Sequence, residues 1–233
     1  MATLFEYYNT GDDGGSEVAD ADWRAQTFTP SASHTITSVK LKLGKKGSPG
    51  TLTVGIRETD VDGKPTGDDL CSGTIDGDTL IEYPSYDWYE ITLGDGYNLN
   101  TSTKYAIVIR ATDGTPGFHT VSIKGDVSSP TYSGGTWVES SNSGSDWTIQ
   151  AAYDFLFEEW GDGFPSQVVG GGSIAISGAT NTIASYLRAV GSGSIAVTGA
   201  LLKKLYASVG LGAVAITGGI STATAIYQAI VGN

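Results

Sequence analysis

The chain has 233 residues, a formal charge of −12 and one cysteine, Cys71. That leaves room for a sandwich-sized domain and a smaller module, and excludes an intrachain disulfide or a thiolate zinc site. Charge divides the sequence: only Asp162, Arg188, Lys203 and Lys204 are charged beyond residue 160, a net of +2, so residues 1–160 carry −14. An acidic excess of this size argues against nucleic acid, whose phosphates need Lys and Arg clusters, while leaving a glycan, a cation or a basic protein surface open.

The opening segment, Met1-Ala2-Thr3-Leu4-Phe5-Glu6-Tyr7, has neither a basic n-region nor an apolar h-region, so synthesis without a secretory signal is expected. The acidic run that follows supplies Asp12, Asp13, Asp20 and Asp22, hard oxygen ligands suited to a structural calcium. As a solvated loop the same residues need no ion, and no other cofactor is expected. From residue 39 the dominant signal is period-2 alternation: Val39, Leu41 and Leu43, then Leu52, Val54 and Ile56, then Tyr89, Ile91 and Leu93. It continues through Tyr105, Ile107 and Ile109, then Val121 and Ile123, and ends in one long run from Trp147 to Phe157. Strands with one buried and one solvated face predict antiparallel sheets. Turn chemistry separates them at Gly44–Gly50, Asp60–Pro65, Gly94–Gly96, Asp113–Gly117 and Ser133–Gly135. Asp60-Val61-Asp62-Gly63 begins like a calcium loop but lacks the downstream Glu, and reads as a hairpin turn.

Aromatic residues are the candidate ligand contacts. Tyr83, Tyr86, Trp88 and Tyr89 lie close together, and Tyr132, Trp137 and Trp147 flank a Gly/Ser-rich segment. Alternation places Tyr89 and Trp147 on apolar faces, leaving Tyr86, Trp88 and Trp137 as platforms for sugar rings. Against this stands the ordinary use of Trp and Tyr in sheets. No catalytic constellation is visible. His34 and His119 sit in turn-rich contexts, Gly-x-Ser-x-Gly and His-Glu-x-x-His are absent, and Glu158-Glu159 reads as a solvated strand end. A non-enzyme is expected.

Three segments of the first part carry a resemblance: Ala25-Gln26-Thr27-Phe28-Thr29-Pro30, Ile36-Thr37-Ser38-Val39-Lys40-Leu41 and Gly50-Thr51-Leu52-Thr53-Val54-Gly55-Ile56. Together with Thr103–Ile109 and Tyr132–Trp137, they resemble the jelly rolls of carbohydrate-binding modules found in bacterial surface and phage structural proteins. The resemblance spans residues 20–158 and implies a sandwich used as a binder or as a spacer.

The last third repeats itself. Val169-Gly170-Gly171-Gly172-Ser173-Ile174-Ala175-Ile176-Ser177-Gly178 returns at Val190–Gly199 and at Val209–Gly218, and a fourth copy begins at Val231-Gly232. Steps of 21 and 19 residues mark stacked units that cannot bury an apolar face alone. Each unit reads as two short strands, with Leu201-Leu202-Lys203-Lys204-Leu205-Tyr206 open to a short helix instead. No run approaches the roughly 18 apolar residues of a membrane span. These repeats are similar to those of phage structural proteins, and the pairs Ile174/Ile176, Ile195/Val197 and Val214/Ile216 are the expected assembly interface, with a self-contained intrachain β-prism or solenoid and a flexible tether as the alternatives.

The expectation is therefore an all-β chain: an antiparallel jelly-roll sandwich over residues 1–160, followed by a short Gly-rich β-repeat module over 161–233. Its expected role is that of a non-enzymatic virion structural protein of a tailed phage, as decoration, fibre or tail component. Its expected partners are itself, as a homo-oligomer such as a trimer, and other virion proteins. The alternative is an adhesion module for host-surface glycans. Neither nucleic acid nor membrane insertion is expected.

Overall fold

The structure is a computed structural model. It describes residues 2–163 in full and, beyond them, the backbone of 167–170, 173–177, 185–190, 194–198, 205–209 and 214–217. Two units are present, Met1–Gly163 and Phe164–Asn233.

The first unit is all-β, with two antiparallel sheets packed as a β-sandwich. Its strands are β1 (Thr3–Tyr8), β2 (Gly14–Val18), β3 (Trp23–Phe28), β4 (His34–Lys46), β5 (Thr51–Thr59), β6 (Pro65–Asp76) and β7 (Asp87–Leu99). They continue as β8 (Tyr105–Arg110), β9 (Thr120–Asp126), β10 (Trp137–Ser140), β11 (Thr148–Gln150), β12 (Asp154–Phe155) and β13 (Phe157–Gly163). The first sheet runs β1-β13-β4-β9-β12, with β2 on β9 and β7 on β4; the second runs β11-β10-β3-β8-β5-β6. Between them Leu41, Ile91 and Phe157 of the first sheet meet Phe28, Ile56 and Ile107 of the second, all at 0% exposure. Each such side chain contributes about 1.5–3 kcal/mol by leaving water.

Alternation carries most of this. Val39, Leu41 and Leu43 all face the core, as do Leu52, Val54 and Ile56. Strand β8 is buried on both faces: Tyr105, Ile107 and Ile109 join the main core, while Ala106 and Val108 meet Ala25, Val138 and Trp147 in a second cluster. The polar β6 escaped the alternation because it is an edge strand, pairing only with β5.

The long run from Trp147 to Phe157 is not one strand. Strand β11 belongs to the second sheet, the chain turns through Ala151 and Ala152 with Tyr153 N bonded to Gln150 O, and β12 enters the first sheet. The even apolar spacing runs through the crossing although Trp147, Phe155 and Phe157 are buried while Ile149 and Ala151 are exposed.

The second unit contains six described strands: β14 (Gln167–Gly170), β15 (Ser173–Ser177), β16 (Ser185–Val190), β17 (Ser194–Thr198), β18 (Leu205–Val209) and β19 (Val214–Thr217). They form two parallel sheets, β14-β16-β18 and β15-β17-β19. Each strand pairs with its equivalent one repeat away, as in Ile174↔Ile195 and Ile195↔Val214, or Ile176↔Val197 and Val197↔Ile216. The six expected interface positions thus align with one another inside a single chain. Leu205 and Tyr206 open β18, whereas Leu201–Lys204 and the fourth copy at Val231-Gly232 lie outside the described residues.

Candidate functional site

The outward face of the first sheet holds a groove of about 430 Å³. Its floor comes from residues that alternate with the core. Because Val121 and Ile123 of β9 point inward, Ser122 and Lys124 point out; their cross-strand partners Glu17 and Gly15 of β2 share that face. On β4 the outward positions are Lys42, Gly44 and Lys46.

One wall is the segment before β7, which carries Tyr83, Pro84 and Tyr86. Backbone bonds pin it to β4: Lys45 N donates to Ile81 O at 2.9 Å, and Tyr83 N donates to Lys45 O at 2.8 Å. Ile81 N also donates to the Tyr89 hydroxyl at 2.8 Å. This approach requires Gly44, where a Cβ would sit 2.5 Å from Ser85 O. The result is a paired aromatic wall: the Tyr83 and Tyr86 rings meet edge-on at 6.2 Å and 84°, and Tyr83 is 49% exposed.

Lysines surround this wall. Lys46 Nζ lies 4.8 Å from the Tyr83 centroid and Lys124 Nζ lies 5.1 Å from that of Tyr86. Glu17 pairs with Lys46, and Asp12 pairs with both Lys42 and Lys124. Burial pushes the Asp12 carboxyl up, but the hydrogen bonds from Lys124 and Lys42 outweigh it and hold it below its ordinary range. Burial raises the Tyr86 phenol, so its hydroxyl stays protonated at neutral pH. Chemically the groove combines a stacking surface with fixed donors; it contains no nucleophile and base in contact.

The sequence-derived candidates separate here. Tyr86 lines the groove, and Trp88, the cross-strand partner of Lys42, stands half-buried on the same sheet face. Trp137 is a correction: it is 5% exposed and stacks on Phe155 at 3.9 Å, inside the sandwich. Its strand pairs on both sides, with β3 and β11, so the aromatic ring closes the core instead of meeting solvent. The four aspartates are not brought together either. Asp12 and Asp13 precede β2 while Asp20 and Asp22 follow it, about 20 Å apart along an extended strand. Asp13 accepts from Val127 N, and Asp20 takes a turn conformation with φ 50°. Among the described residues no group of three or more His, Cys, Asp or Glu is placed to hold a metal ion.

A second polar arrangement was not visible in the sequence. Glu159, expected to be solvated, is fully buried, and its Oε1 lies 2.7 Å from His34 Nε2. His34 Nδ1 lies 2.8 Å from Ala32 O, and Phe5 stacks on the imidazole at 3.6 Å. Glu159 Oε2 has no partner, and burial raises the carboxyl despite the bond from His34. Both side chains are 0% exposed, so this pair holds β13 to β4 with no access for a substrate. Nearby, Tyr8 donates to Asp126, and Gln26 donates to Asp154, whose carboxyl is pushed up to about 6 by burial.

No protein-family model matches the chain, and no curated protein matches it. Among the described residues no helix is long and apolar enough to cross a membrane.

Proposed function

We propose that the chain is a non-catalytic saccharide-binding protein, a jelly-roll sandwich of the carbohydrate-binding-module kind carried on a repeat tail. The observation that supports this best is the groove, where two tyrosine rings stand beside fixed hydroxyl and ammonium donors on an outward sheet face. Pyranose rings present apolar C–H faces that stack on such rings, and hydroxyls that meet polar neighbours. The experiment is a glycan array with the full chain and with Tyr83→Ala/Tyr86→Ala. Binding by the full chain that disappears in the variant supports the reading, and a silent array rejects it.

A second reading, that of a virion component of a tailed phage, decoration or fibre, is favoured by the tail. Its parallel ladders repeat every 19 to 21 residues, and strand ladders of this kind extend by adding equivalent strands. The two readings are compatible: the tail would assemble with like or unlike subunits while the sandwich is displayed. A particle that incorporates the chain normally after Ile195→Asp/Val197→Asp would rule out the tail as its anchor.

A further inference from the structure

The groove's charge runs against that of its domain. Residues 1–160 carry −14, yet two of the seven lysines in that segment, Lys46 and Lys124, line the groove, and Lys42 and Lys45 lie beside it on β4. Three carboxylates answer them. Asp12 is shared between Lys42 and Lys124, Glu17 is taken by Lys46, and Glu82 by Lys45 at 2.8 Å. One ammonium is left in excess where the surrounding surface is acidic.

The lining is also rich in donors. Lys46, Lys124, Tyr86, Ser16 and Ser122 all carry N–H or O–H groups. Glu17 is the single carboxylate in the lining, and it is already paired with Lys46; no Asn, Gln or Asp lines the groove. A neutral sugar finds hydroxyl partners there, which accept as well as donate, but no free carboxylate or amide of the kind that usually fixes sugar hydroxyls. An anionic sugar brings a charged acceptor for the ammonium groups of Lys46 and Lys124. Both ammonium groups lie against the tyrosine rings, so a charge on a stacked pyranose would come within their reach.

Building on the saccharide-binding reading, we propose that this groove selects an anionic saccharide. Lys46 and Lys124 engage its carboxylate or sulfate, and its ring lies against Tyr83 and Tyr86. Charge-assisted bonds from ammonium to carboxylate are the stronger class of hydrogen bond, and at an exposed site they weaken with salt.

The test is calorimetric titration of the full chain with an oligouronate, a sulfated oligosaccharide and a neutral hexaose of matched length. Each titration is run at low and high salt and repeated with Lys46→Gln, Lys124→Gln and Tyr86→Ala. The expected result is binding of the uronate or the sulfated ligand, each lysine variant weakening it about tenfold, and salt weakening it in the native chain. The salt series reads the unmodified protein and so does not depend on how the variants fold. Neutral hexaose bound as tightly as the anionic ligands, with no salt or lysine effect but a loss in Tyr86→Ala, would overturn the anionic selection and leave the saccharide reading standing. Binding of none of the three would overturn both.

Discussion

The two units are both built of strands and obey different connection rules. In the sandwich, β1 pairs with β13, so Thr3 faces Gly161 across the length of the domain. In the tail each strand pairs with the copy 19 to 21 residues away. The first arrangement needs distant segments together before it gains anything, so it folds as one cooperative body. The second is a sum of nearly equal neighbour contacts that can be lengthened or shortened by a repeat.

The largest effect should come from truncation. Ending the chain after Gln150 removes β12 and β13 from the first sheet, and the cooperative melt of the sandwich should vanish by circular dichroism. Ending it after Thr198 removes β18 and β19 and should leave that melt in place. The double change Ile195→Asp/Val197→Asp sharpens the contrast: on the proposed assembly role, light scattering should show the native chain as an oligomer and the variant as a monomer, with the sandwich melt unchanged.

Within the sandwich, His34→Ala leaves the buried Glu159 without its side-chain partner, and urea denaturation should show a loss of about 3–5 kcal/mol. Asp154 gives a pH signature. Its folded pKa of about 6 lies above the ordinary value, so the ionised form opposes folding. Stability associated with this group is present at low pH and is lost as pH rises from its unfolded value through 6. Asp154→Asn should therefore gain on the native chain by about 1–2 kcal/mol across that window and by no more above it. The smallest effect belongs to Lys40→Ala. Its 4.0 Å pair with the exposed Glu90 and its ammonium's 4.7 Å approach to the Trp160 ring are together worth no more than about 1 kcal/mol.

What the sequence revealed follows the same division. Period-2 patterns located β4, β5 and β7 because each has one core face and one more solvated face, and β9 because Val121 and Ile123 alternate with the polar Ser122 and Lys124. They misjudged the 147–157 run because a crossing between sheets preserved the apolar spacing. They passed over β6, an edge strand with polar residues at most positions, whose Leu70, Cys71 and Ile75 pack against the core without regular alternation. The tail's period was legible because its pairing partners are near in sequence; its parallel direction was not, since alternation carries no sign of direction.

At the groove, the aromatic cluster around Tyr86 was visible. Its neighbours were not: Lys46, Ser122 and Lys124 arrive from β4 and β9, and only the antiparallel register assembles them. Trp137 was misplaced because a tryptophan at a strand end gives no local sign of which side it faces. His34 and Glu159 are 125 residues apart, and nothing local marks either as half of a pair.

The most direct measurement is an amide chemical-shift map of the full chain during titration with the best-binding oligosaccharide. Shifts gathered at Gly15, Glu17, Lys46, Tyr86, Ser122 and Lys124, with tail amides unmoved, are the expected result. Saturable binding whose shifts fall on the tail or on the second sheet, with those six residues silent, would contradict the groove as the binding site.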